Sequence, residues 1–289
     1  MPTPPRHDPL MIDGKPYYTL INYDPVSIEV TILTVTDREV DELLDQIATQ
    51  AGGTPESLND AEWVASKFNG ATLKDLHDSL KNEMSQFNRD GAEQQKPVLC
   101  ASELAKRLCQ NVPEKFVEEY RERLEKQFSD ELAQSGATLS LFLAQTGMLR
   151  TEFDSMMLRQ AHDLAEQEAA LHAYASAKKI KVDSSELPRL LNVSPEQIDE
   201  VLKQAKEEGI YDQLIDSALL NKTVQSVIAE ANCSYHFETE AEADARLAGR
   251  EAPKHAGAAP ADDSEDATEG DEPTDEASDD EEPQPRHAK

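Results

Sequence analysis

The chain has 289 residues, with 28 Lys and Arg against 58 Asp and Glu, and a net charge of −30. That length allows one large domain or two small ones, and the charge argues against nucleic acid, ribosomal RNA or an anionic membrane as a direct partner, because phosphate binding needs clustered Lys and Arg. There is no run of about eighteen apolar residues to span a membrane, and the start has no basic segment followed by an apolar one to act as a secretory signal.

In chain order, residues 1–16 are Pro-rich and are expected to be a disordered N-terminus. From Tyr17 to Thr36 the pattern is β-like: Val26, Ile28, Val30, Ile32 and Thr34 alternate with Ser27, Glu29, Thr31 and Leu33. Thr36 and Glu39 then form a capping box, and Val40, Leu43, Leu44 and Ile47 follow at helical spacing. Residues 51–59, with Gly52, Gly53 and Pro55, read as a linker. Everything from 60 to 231 reads as helix. Trp63, Val64 and Phe68 mark a short helix; a longer one starts near Thr72 and heads for Leu108, with Gly91 and Pro97 as points of a break or kink.

Pro113 is placed as the first residue of the next helix, which carries Phe116, Val117, Tyr120, Leu124, Phe128 and Leu132 and ends at Gly136. Leu139 to Gln145 is a short helix closed by Gly147, and a long helix over 151–178 carries Phe153, Met156, Met157, Leu164 and Leu171 on one side. Ser194 to Gln197 (SPEQ) reads as a second capping box with Pro at its first helical position, opening a helix that ends before Gly209. The last long helix bears Leu214, Ile215, Leu219, Val224, Val227 and Ile228, and Cys233 to Thr239 reads as a short closing strand, a partner for the strand near Val30. From residue 241 the chain is expected to be an acidic disordered tail. Glu251 to Lys289 alone has 14 acidic and 3 basic residues, a net −11, and no aromatic residue with which to bury a core. Residues 1–250 keep the remaining −19, so the body is acidic in its own right. The fold class is mainly α, with a short β element near the N-terminus.

No catalytic constellation emerges. His162 and His172 share a helix, with Glu166 one turn after His162, but ten residues, about 15 Å of helix, are too far for one ion. The pairs Asp60/Glu62, Glu118/Glu119 and Glu207/Glu208 read as solvated faces. No Gly-rich phosphate loop or Gly-x-Ser-x-Gly elbow is present, and neither metal nor cofactor is expected. Cys100, Cys109 and Cys233 form no CxxC pair, leave an odd thiol and lie beside no basic cluster, which suits a reduced cytoplasm. The densest apolar stretch offers candidates for binding other chains: Phe142, Leu143, Met148, Leu149, Phe153, Met156 and Met157, joined by Ile215 and Leu219 from the last long helix. Met is flexible and polarizable, which suits surfaces that accept many partners. The competing reading is that these residues plug the core of a helix pair.

Four segments in order resemble the bacterial trigger factor family. VSIEVTILTVTDREVDELL (26–44) looks like the strand and helix that precede the family's prolyl-isomerase domain, and PESLNDAEWV (55–64) with TLKDL (72–76) like the re-entry into its helical body. NVPEKFVE (111–118) resembles the start of a body helix, and GIYDQLIDSALLNKTV (209–224), including Lys222, the final arm helix. The resemblance implies a helical body with arms over 17–240, acting as an ATP-independent holdase for unfolded or nascent polypeptides, possible as a homodimer. Two family features are missing from the pattern. Only 15 residues separate Ile47 from Trp63, where an isomerase domain needs about a hundred. The Gly-Phe-Arg ribosome-docking loop is not found, so ribosome docking is doubtful. A prolyl isomerase and a scaffold with one dedicated partner stand as the alternatives.

Overall fold

The computed structural model describes residues 5–12 and 14–251, and among these it is mainly α, with ten α-helices and two two-stranded sheets. The described residues up to Leu247 belong to one structural unit. Strands β1 (Leu10–Ile12) and β2 (Lys15–Tyr17) pair as an antiparallel hairpin. The expectation that residues 1–16 are mobile therefore fails over most of its length. His7 N donates to Cys109 O (3.2 Å), Asn111 N donates to His7 O (2.9 Å), and Arg6 donates to Ala105 O and pairs with Glu166. Arg6 and His7 are held by partners 99 to 160 residues away, which local composition does not display.

Strand β3 (Ser27–Ile32) shows the expected alternation, with Ile28 and Val30 buried and Ser27, Glu29 and Thr31 exposed. Its partner is β4 (Asn232–Phe237), in parallel register with Ile28 opposite Cys233 and Val30 opposite Tyr235. Parallel strands need a long crossover, and here the crossover is the helical body itself. A two-stranded sheet is marginal alone, so the buried face of β3 packs on α3.

Helix α1 (Asp37–Gln50) starts at the predicted capping box: Glu39 N donates to Thr36 Oγ1 (3.3 Å) and Thr36 N to Glu39 Oε2 (3.1 Å). Residues 51–59 are a turn and a 3₁₀ turn whose Leu58 packs with Val40, Leu44 and Ala48 of α1 and Val64 of α2 (Ala61–Lys67), forming one small core. Helix α3 (Leu73–Ala105) runs unbroken through Gly91 and Pro97. Pro in a helix interior costs about 3 kcal/mol. That cost is offset by the burial of Ala92, Cys100, Ala101, Leu104 and Ala105 against β3, α6 and α9. Gly91 has a different consequence, since a Cβ there would meet nothing within 4 Å. Gly91→Ala is expected to raise stability by about 0.5–1 kcal/mol by restricting the unfolded chain. A urea midpoint that falls instead would show that the backbone at 91 departs from helix.

Helix α4 (Glu114–Gln134) begins one residue later than expected, with Pro113 as its cap rather than its first residue. Helix α5 (Leu139–Thr146) and the long α6 (Arg150–Lys178) follow. The buried face of α6 holds Phe153, Met157 and Leu171 of the five large residues expected there, and between them a stripe of alanines, Ala161, Ala165, Ala169 and Ala173. Small residues every fourth position let α3, α4 and α9 pack closely against α6. Helices α7 (Leu187–Leu190), α8 (Ile198–Glu207) and α9 (Tyr211–Glu230) complete the body, with Leu187, Leu190 and Ala218 as a third core. The predicted box at Ser194 is a turn instead. Ser194 Oγ donates to the Gln197 side chain (3.0 Å), and α8 starts at Ile198.

Helix α10 (Glu240–Glu251) corrects the expected start of the tail at 241. Thr239 and Glu242 cap it reciprocally, and Ala243 and Leu247 are buried. The rest of the acidic stretch, 252–289, lies outside the described residues.

Candidate functional site

The apolar candidates fall into separate surroundings. Around α5, Thr138 caps the helix by accepting from Leu141 N (3.3 Å), and Gly147, at φ +68°, turns the chain into α6. A left-handed residue at that position favours glycine. Phe142 packs edge-on against Phe128 (centroids 5.1 Å), and Phe128 stacks tilted against Phe153 (5.4 Å). Phe153 and Met157 are buried, so these two candidates are packing residues of the α4–α5–α6 layer, as the competing reading held. Phe142, Leu143, Met148 and Met156 are half-buried. Leu149 is 64% exposed, Leu158, which closes the candidate stretch, is 49% exposed, and Leu141, just outside it, is 46% exposed. Ile215 packs in the third core, and Leu219 borders a shallow hollow with His172, Lys179 and Ile180.

A second region was not anticipated. A cleft of about 530 Å³ opens between the hairpin, α4, α6 and α9. Tyr17, Tyr18, Phe116 and Tyr120 supply aromatic walls, and Ala165, Ala169 and Ala173 a floor. Glu168, His172 and Asp216 also line it. His172 Nε2 stands 3.2 Å from Asp216 Oδ2 and 4.0 Å from Glu168 Oε1. Burial pushes the Glu168 carboxyl above its ordinary value, with Asp216 adding to the shift and His172 opposing it. At His172, burial disfavours the charged ring, but the bond to Asp216 and the fields of both carboxylates outweigh it and raise its pKa. Burial, with Glu168 beside it, pushes the Tyr18 hydroxyl up to about 12.

The sequence signal for this cluster was the four-residue step from Glu168 to His172, which puts both on one helix face. Asp216 comes from a different helix, and nothing local links it to them. His162 is exposed and pairs with Glu166, apart from the cluster.

Two of the remaining ionisable candidates have structural roles. Asp60 caps α2 by accepting from Glu62 N (2.9 Å) and Trp63 N (3.2 Å), and Glu118 pairs with Arg121. The three cysteines are free thiols; burial pushes Cys100 up to about 11, which disfavours the nucleophilic thiolate. Among the described residues no helix is long and apolar enough to cross a membrane.

Comparison with known proteins bears on the same segments. The family model for the bacterial trigger factor protein C-terminus matches residues 72–230, from the start of α3 to the end of α9, which includes the α5 surface and the α4, α6 and α9 walls of the cleft but not its hairpin wall. The trigger factor of Deinococcus deserti is similar at 24% identity over 185 residues, covering 61% of this chain and 41% of that protein. The chain thus matches well under half the length of this curated relative. No solved structure matches the chain.

Proposed function

Because this chain belongs to the bacterial trigger factor family through its helical body, we propose that it is an ATP-independent chaperone that holds unfolded or nascent polypeptides in the cytoplasm. The observation that carries this reading is the apolar character of the α5–α6 segment: Leu141, Leu149 and Leu158 are exposed, and Phe142, Leu143, Met148 and Met156 are half-buried. Exposed apolar surface that is contiguous and large marks binding sites in soluble proteins. The aromatic contacts of Phe128, Phe142 and Phe153 give the segment a firm base, and Met148 and Met156 supply side chains that adapt to varied partners. The net charge of −30 keeps a protein with such a segment soluble and argues for apolar client segments over nucleic acid.

The test is light scattering of two unrelated, chemically denatured clients diluted into increasing amounts of this protein without ATP. Near-stoichiometric suppression of aggregation is expected for both. The triple variant Leu141→Asp, Leu149→Asp, Leu158→Asp should need at least about fivefold more protein for the same suppression, because three desolvated apolar contacts are lost. Its helicity should match the parent and its stability should stay within about 1 kcal/mol, because Asp at the Leu149 cap position favours α6 while Asp at Leu141 and Leu158 lowers helix propensity. Suppression of neither client would remove the holdase reading. Acceleration of a proline-limited refolding reaction would move the assignment to a prolyl isomerase.

A further inference from the structure

We propose that Glu168, His172 and Asp216 form a binding site for a divalent transition-metal ion, zinc in the first instance, which joins α6 to α9 at the wall of the cleft. One ligand atom from each of the three side chains lies within 4.8 Å of the others. The separations from His172 Nε2 are 3.2 Å to Asp216 and 4.0 Å to Glu168. Ligands held about 2.0–2.2 Å from a tetrahedral zinc ion stand about 3.3–3.6 Å from one another. The donors therefore bracket the required spacing, and small side-chain rotations bring them onto it.

The backbone supports the same reading. Glu168 and His172 are one turn apart on α6, so their side chains project from one face. Asp216, from the first half of α9, closes the third corner across the helix pair. All three are half-buried and line the cleft, which leaves a fourth position open to water or to a cleft occupant. The charge is also unbalanced in the right sense. Two carboxylates face one imidazole, so even a protonated His172 leaves a net negative charge in a partly desolvated place. Lys15, also lining the cleft, repels the His172 charge. A divalent cation neutralises both carboxylates and binds the neutral ring.

The donor set selects among cations. Imidazole with carboxylates suits zinc and its transition-metal neighbours, with affinity rising toward copper in the usual series. Magnesium demands near-octahedral oxygen ligation and gives up its water reluctantly, so it is not expected here. Nothing in this site depends on the chaperone reading, and its test has an independent readout.

The test uses the untagged full chain, freed of metal, titrated with Zn²⁺ by calorimetry and with Co²⁺ by visible absorption. One specific equivalent of Zn²⁺ should bind, Co²⁺ should give the strong bands of a low-coordinate site, and Mg²⁺ should leave the heat signal at baseline. His172→Ala and Asp216→Asn should each weaken Zn²⁺ binding by at least about tenfold, since even outer partners of metal ligands are worth that much. His162→Ala, on the same helix but outside the cluster, should bind as the parent does. The acidic tail is common to all variants, so its weak binding cancels. Should His172→Ala fail to fold, the near-isosteric Asp216→Asn carries the same expectation. Parent-like Zn²⁺ affinity in His172→Ala or Asp216→Asn would overturn the assignment, as would the absence of a specific equivalent in the parent.

Discussion

Arg246→Ala is expected to lower stability at neutral pH by about 3–5 kcal/mol, the cost of leaving a buried carboxylate without its partner. Arg246, on α10, grips Glu238 with two donors (Nε to Oε1 2.8 Å, Nη2 to Oε2 3.2 Å). It also donates to Glu39 Oε1 (2.9 Å) and to Thr34 O (3.2 Å). Glu238 is buried, and apart from Arg246 its carboxylate accepts from Thr34 N (2.9 Å). One guanidinium thus ties α10 to the end of β4, to the loop after β3 and to the first turn of α1. Bidentate pairing is particular to the planar fork, so Arg246→Lys should recover only part of the loss.

The same network gives stability a pH dependence of known sign. Burial works against a charged Glu39, but the bonds from Arg246 and from Thr36 outweigh it and hold its pKa below the ordinary 4.5. A carboxyl whose folded pKa is depressed contributes stability above its unfolded value, and that contribution is lost as pH falls through the folded pKa. The gap between the parent and Arg246→Ala should therefore be widest above about pH 5 and narrow on further acidification. Urea denaturation at neutral pH and at steps down to pH 3 reads both quantities. A loss below about 1 kcal/mol at neutral pH would mean that water replaces the guanidinium without strain.

The second large effect lies under the proposed client surface. Phe153→Ala is expected to cost about 3–5 kcal/mol, because the side chain is fully buried and the ring of Phe128 cannot collapse into the space without losing Phe142. Phe153→Leu keeps most of the volume and should cost less. The pair separates packing from contact: with Phe153→Leu still folded, suppression of client aggregation should match the parent, since Phe153 reaches no solvent. A folded Phe153→Leu that fails to suppress aggregation would place Phe153 at the client after all, through opening of α5 from α6.

The contrast between Phe153 and Leu149 shows where sequence reasoning stopped. Both are large apolar residues in one dense stretch, four positions apart, and both qualified as client contacts. One proves buried and the other 64% exposed, because Gly147 turns the chain and makes Leu149 the cap of α6 rather than part of its packed face. Periodicity marks an apolar residue; which neighbour covers it depends on how the helices cross. The same holds for His172. Its step from Glu168 is visible in the sequence, but Asp216 comes 44 positions later, from the helix that folds back across α6.

What the sequence by itself determined was whatever depends on residues within a turn or two of each other. The alternation of β3, the capping box at Thr36, the start of α3 at Thr72, the helical order of the body and its trigger factor character over 72–230 belong to this class. The strand at 232–237 as partner of β3 was also within reach, because the chain offered few other β-rich segments. Tertiary structure alone decided the rest. The segment around His7 is held by residues 105–111, α3 survives Pro97 through the burial of its later turns, and α10 holds where composition suggested a tail because Arg246 finds Glu238 and Glu39. In each case the local preference of the chain is worth a few kcal/mol at most, and contacts between segments distant in sequence outweigh it.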